Sequence, residues 1–164
     1  MPPQSEPPTP ASDLQAKLAK DIERVGWVAI GVMPTEDDPI DPFTYTLNLW
    51  RKFDHPELIV TGMRQEVAHS MIAGFISRIE QGDRFDTSLD HPKALQGQGD
   101  KTYTAAIRPV TPTQRDEHLR FADWWNGGED FPAMQIVWPD PAGLFPWEDG
   151  YDRRYLQPLL TDDG

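Results

Sequence analysis

The chain has 164 residues and a formal net charge of −12, from 27 acids against 15 Lys and Arg, with no cysteine. A chain this long forms one ordinary domain and buries about 70% of its unfolded surface, so it needs no disulfide staples. The missing thiols exclude structural disulfides, thiol nucleophiles and thiolate metal sites. The acidic balance offers no basic face for a phosphate backbone and excludes nucleic acid as the expected partner.

Residues 1–11 are proline-rich and carry no aromatic residue, which predicts a disordered tail. They have neither the basic region nor the apolar run of an export signal. No apolar stretch approaches the roughly 20 residues that span a bilayer. A cytoplasmic address and no membrane contact are therefore expected, with residues 12–164 forming a single domain.

Ser12 is placed to cap a helix over 13–25, with Leu14, Leu18, Ile22 and Val25 at helical spacing and Gly26 as its stop. WVAIGVM at 27–33 reads as a strand. The acids Glu36, Asp37, Asp38 and Asp41 follow in a loop without calcium-loop spacing. Residues 43–50, FTYTLNLW, alternate as a half-buried strand, and ELIVT at 57–61 is the next, as in an antiparallel hairpin.

The spacing of Val67, Met71, Phe75 and Ile79, widened by Ile72 and Ile76, predicts a helix over 63–81. Gly74 inside it suggests close packing against a neighbour. Residues 83–100 show no period and read as a lid or a mobile excursion. KTYTAAIRPV at 101–110 returns to strand character. Thr111, Pro112 and Gln114 then form a capping box for a helix carrying Leu119, Ala122 and Trp125. AMQIVW at 133–138 is the last strand. A loop with Phe145 and Trp147 follows, and YLQPLL lies back on the body.

Strict strand–helix alternation is missing. The fold class expected is α+β, a mainly antiparallel sheet with about three packed helices. A partly closed β-barrel with helices is the alternative.

GW at 26–27, YTLNLW at 45–50, HPELIVTG at 55–62, QIVWPDPAGLFPW at 135–147 and QPLL at 157–160 occur in this order. Together they resemble the bacterial family catalogued as domain of unknown function 4262, over about residues 25–160. The resemblance implies a small bacterial protein and carries no reaction with it. The family's hairpin strand usually reads Tyr-Thr-Ile-Gly-Leu, and Asn48 stands here at the glycine. If that glycine admits a ligand to the backbone, the feature is altered in this chain.

His55 and Glu57 have a spacing that suits a His–carboxylate general-base pair. Equally, His55 caps the turn and Glu57 binds backbone. Asp140, just past the last strand, is the third catalytic candidate, although Asp in a Pro-Asp-Pro turn also bonds its own backbone. Tyr45, Thr46, Gln135, Phe145 and Trp147 are the ligand-binding candidates. The four histidines lack any zinc signature, so no metal site is expected, and no nucleophile elbow or P-loop is present. Trp124, Trp125, Trp138 and Trp147 are able to stack a planar ligand such as a flavin or nucleobase, but core packing is their commoner role. Which cofactor, if any, the chain takes stays open.

With no catalytic signature, whether the chain is an enzyme stays open. The leading expectation is a protein-binding or regulatory module that uses its acidic surface and the 139–151 loop against a protein partner or a second copy. The alternative is a small enzyme or ligand-binding protein with a pocket around His55, Glu57 and the 139–147 loop.

Overall fold

A computed structural model describes residues 2–88, 90–97 and 99–162. The first helix, α1 (Asp13–Val25), starts where Ser12 Oγ accepts the Gln15 N–H at 3.1 Å. It ends where Gly26, at φ 102°, returns its N–H to the Ile22 carbonyl. Only Leu18 and Ile22 of its predicted stripe are buried. Leu14 and Val25 stay exposed at the two ends.

The remaining elements are β1 (Val28–Val32), β2 (Phe43–Leu47), α2 (Leu49–Phe53), β3 (Glu57–Thr61), α3 (Gln65–Glu80), β4 (Asp90–Gln96), β5 (Thr102–Pro109), α4 (Pro112–His118), α5 (Arg120–Trp125) and β6 (Ala133–Val137). The strands form one six-stranded sheet in the order β1-β2-β3-β6-β5-β4. Every neighbouring pair is antiparallel except β3 and β6. The sheet is open, with β1 and β4 at its edges, so the architecture is α+β rather than a barrel.

Alternation along the strands loads both faces. On one, Leu58, Val60, Ala105, Ile107, Met134 and Ile136 pack against Ile72, Phe75, Ile76 and Ile79 of α3. On the other, Tyr45, Leu47, Ile59 and Ala133 meet Ile22 of α1 and Leu119, Ala122 and Trp125 of the α4–α5 segment. Each large side chain buried this way contributes about 1.5–3 kcal/mol.

Four local expectations are corrected. The strand expected over 43–50 stops at Leu47, and the chain turns through Asn48 at φ 81° into α2. Part of the aperiodic 83–100 segment is the edge strand β4, paired with β5. The helix expected after Thr111 breaks at Leu119 into α4 and α5. Gly74 packs against no neighbour among the described residues, since a Cβ there would meet none of their atoms within 4 Å.

Candidate functional site

His55 and Glu57 flank Pro56 at the entry to β3, where the chain leaves α2 through Asp54 at φ 53°. Both are fully buried. His55 Nδ1 donates to the Pro56 carbonyl at 2.8 Å, which fixes the neutral tautomer. Its Nε2 then accepts the Phe85 N–H at 3.3 Å. Burial holds the imidazole pKa below its usual value.

Glu57 turns to other partners. Its Oε1 accepts the Thr46 hydroxyl at 2.7 Å and the Leu49 N–H at 3.2 Å, and its Oε2 accepts the Trp50 N–H at 2.9 Å. The carboxyl thus caps the first turn of α2, which Asn48 leaves without a side-chain cap. Thr46 also accepts the Leu58 N–H at 2.9 Å. Burial pushes the Glu57 pKa up to about 7, against the pull of these donors.

Asp140 is buried in the loop after β6. Its Oδ1 accepts the N–H groups of Ala142 and Leu144, and its Oδ2 accepts that of Asp152, all at 2.9 Å. The Asp152 and Leu144 amides lead in holding its pKa below the usual carboxylate range. Among the described residues, no hydrogen bond joins His55, Glu57 and Asp140; His55 and Asp140 spend their capacity on backbone, and Glu57 on backbone and the Thr46 hydroxyl.

Gln135 is equally committed. Its Nε2 donates to the Pro158 carbonyl at 2.8 Å and to Thr61 Oγ1 at 3.2 Å, while its Oε1 accepts the Leu160 N–H at 2.8 Å. Gln157 exchanges two bonds with the Trp138 backbone, at 2.9 and 2.8 Å. These two amides fasten the QPLL segment beside β3 and β6. Gly62, at φ 81°, is needed there, because a Cβ would strike the Leu156 carbonyl. Phe145 is buried against Ala106 and Val137. It stacks on Trp147, which is 46% exposed and carries the Arg108 guanidinium 4.7 Å from its ring centre.

Asn48 stands where the resemblance expects a glycine. The backbone there is left-handed, which glycine adopts freely and asparagine tolerates. Its side chain donates to the Gly26 carbonyl and accepts Trp125 Nε1–H, both at 2.9 Å.

Polar groups with spare capacity gather elsewhere. A cleft of about 840 Å³ opens between the 38–41 loop, the α4–α5 junction and Pro158. Phe43, Tyr45, Ile40 and Phe121 give it an apolar lining, and Asp38, Asp41, Glu117, His118 and Arg120 surround it. The carboxylates of Asp38, Asp41 and Glu117 have no hydrogen-bond or ion-pair partner among the described residues. The buried Tyr45 hydroxyl accepts the Phe121 N–H at 3.1 Å, and its own proton has no acceptor among those residues. Burial raises its pKa to about 12, so it stays a donor. His118 Nδ1 donates to the Gln114 carbonyl at 2.9 Å, leaving Nε2 as an acceptor with no donor among the described residues. Of these residues sequence reasoning singled out only Tyr45 as a site candidate.

A second cavity, about 720 Å³, lies between α1, Asn48, Trp125 and prolines 3, 7 and 8 of the N-terminal stretch. There Arg51 donates to the carbonyls of Trp125 at 2.9 Å and Ser5 at 2.7 Å. No helix of the described residues is long and apolar enough to cross a membrane. Nor does any group of three His, Asp or Glu among them gather as metal ligands.

The geometry defines a small α+β domain with an amphipathic cleft at one end of its sheet. The chain belongs to the family described as Domain of unknown function (DUF4262), whose model matches residues 21–152. No curated protein and no solved structure matches it.

Proposed function

We propose that this chain is a protein-binding or regulatory module, and that its cleft takes a short basic segment of a partner protein. The observation that carries this reading is the coincidence of three carboxylates unpaired among the described residues with an aromatic lining and one buried hydroxyl whose proton has no acceptor among them. A Lys or Arg stem packs on Phe43 and Phe121 while its charge meets Asp41 and Glu117, and Tyr45 donates to a backbone carbonyl. The net charge of −12 steers basic partners toward the surface and repels nucleic acid.

The test is an array of octapeptides with a central Lys or Arg between apolar residues. Binding is expected to weaken as salt rises, and to fall about tenfold or more in an Asp41→Asn, Glu117→Gln double variant. Binding unaffected by those changes, or no binding by any peptide, would refute it. A second reading, a small enzyme or ligand-binding protein, is favoured by His118, whose fixed tautomer leaves Nε2 as a base beside Arg120. A small molecule retained from the host and lost on His118→Ala would support that reading instead.

A further inference from the structure

The two edges of the sheet differ in how they discourage pairing. β4 carries Asp90 and Pro92 and shifts register between His91 and Leu95. Charges, proline and bulges are the usual means of blocking an edge. β1 has none of them. Residues 26–33, GWVAIGVM, hold no charge in a strongly acidic chain, and the five pairs with β2 run without interruption.

The register identifies which β1 groups are open. The Gly62 N–H bonds the Pro42 carbonyl at 2.8 Å, so even-numbered β2 residues face β3 and odd-numbered ones face β1. Phe43, Tyr45 and Leu47 therefore bond Val32, Ile30 and Val28. Ala29 and Gly31 point their N–H and C=O groups away from the sheet, and no partner for them exists among the described residues.

We propose that β1 pairs with β1 of a second copy, antiparallel about a two-fold axis at Ile30, and that the chain is a homodimer with a continuous twelve-stranded sheet. In this register Ala29 meets Gly31 of the other copy, and Gly31 meets its Ala29. All four open N–H groups of the two copies then find carbonyls. The cross-strand pairs are Val28 with Val32, Ile30 with Ile30 and Trp27 with Met33, every one apolar, and all five strand residues are only half-buried in the single chain.

Charge does not oppose this occupant, because residues 26–33 bring no charged side chain to the paired strands. This inference does not rest on the cleft reading, which uses other residues.

Light scattering and native mass spectrometry of the full chain should give twice 18.6 kDa. Ala29→Pro removes an N–H that the internal ladder does not use, so it should leave a folded monomer. Cross-linking gives an independent check, because the chain has no native cysteine. Residues on the two-fold of a non-hydrogen-bonded pair lie about 4.5 Å apart at Cα, within disulfide reach. Ile30→Cys should therefore form a disulfide dimer on mild oxidation, and the exposed control Leu156→Cys should not. A monomeric native chain would overturn the proposal. So would a dimer that survives Ala29→Pro, or cross-linking no faster at position 30 than at 156.

Discussion

Glu57→Gln tests whether a buried carboxyl, rather than a helical propensity, holds α2 in place. The Glu57 pKa stands at about 7 in the folded chain against an ordinary 4.5, with burial as the leading cause. The folded state thus keeps a proton that the unfolded chain has released. The associated stability is fully present below pH 4.5 and is lost as pH rises through about 7. The gap corresponds to about 3 kcal/mol. Glutamine has no proton to lose. It has one acceptor oxygen in place of two, so the Leu49 or Trp50 N–H loses its partner, a cost of about 1–3 kcal/mol at every pH. Urea unfolding of both chains from about pH 4 to pH 8 separates the two effects. The difference between them should move by about 3 kcal/mol in favour of the variant as pH rises, while titrations common to both chains cancel. Profiles that stay parallel within about 0.5 kcal/mol would refute the reasoning. The three donors, and not burial, would then set the state of the carboxyl.

Gly74→Ala should stabilise the chain by about 0.5–1 kcal/mol, since the helix gains propensity and the new methyl meets nothing; thermal melting reads it, and a lower Tm would show an unseen contact. Asn48→Gly should cost about 2 kcal/mol through two lost hydrogen bonds, and Asn48→Ala about 1 kcal/mol more from the left-handed backbone, an order that urea unfolding checks. His55, with its folded pKa depressed, contributes stability that is present above pH 6.5 and lost as pH falls below it. Its protonation forfeits the Phe85 N–H bond, so the Phe85 amide should exchange faster at about pH 5 than the intrinsic rate change explains; unchanged protection would argue against that bond.

What the sequence makes legible follows from how each element is stabilised. β2, β3 and β6 carry their own apolar patterns, and α3 has its own period, so local reading finds them. The buried stripe of α3 is nevertheless rotated, with Ala68 inside and Val67 out. β4 reads DHPKALQ, with no β-branched residue and a proline, and is a strand because β5 lies beside it. α2 has five residues, too few to stand alone, and takes its first-turn partners from Glu57 across the turn. The α4–α5 break at the fully buried Leu119 swings His118 and Arg120 toward Phe43 and Tyr45. No local pattern marks that break, and without the sheet order nothing in the sequence joins 38–43 to 117–121.

The polar residues that the sequence makes conspicuous share one property in the structure. His55, Glu57, Asp140, Gln135 and Gln157 each satisfy backbone groups that no ladder reaches. Buried amides must find partners, and a chain with short strands and long connections has many to satisfy. Such residues are conspicuous because they stand beside prolines and strand ends, where regular pairing stops. Residue type and spacing alone therefore cannot separate a catalytic carboxyl from a structural one. Spare hydrogen-bonding capacity can. Asp140 has accepted three N–H groups and Gln135 has filled both ends of its amide. Tyr45 retains a proton, His118 a lone pair, and Asp41 and Glu117 whole carboxylates, all around one cleft. Those groups are left for water or a ligand to use, whereas the chain itself already uses the others.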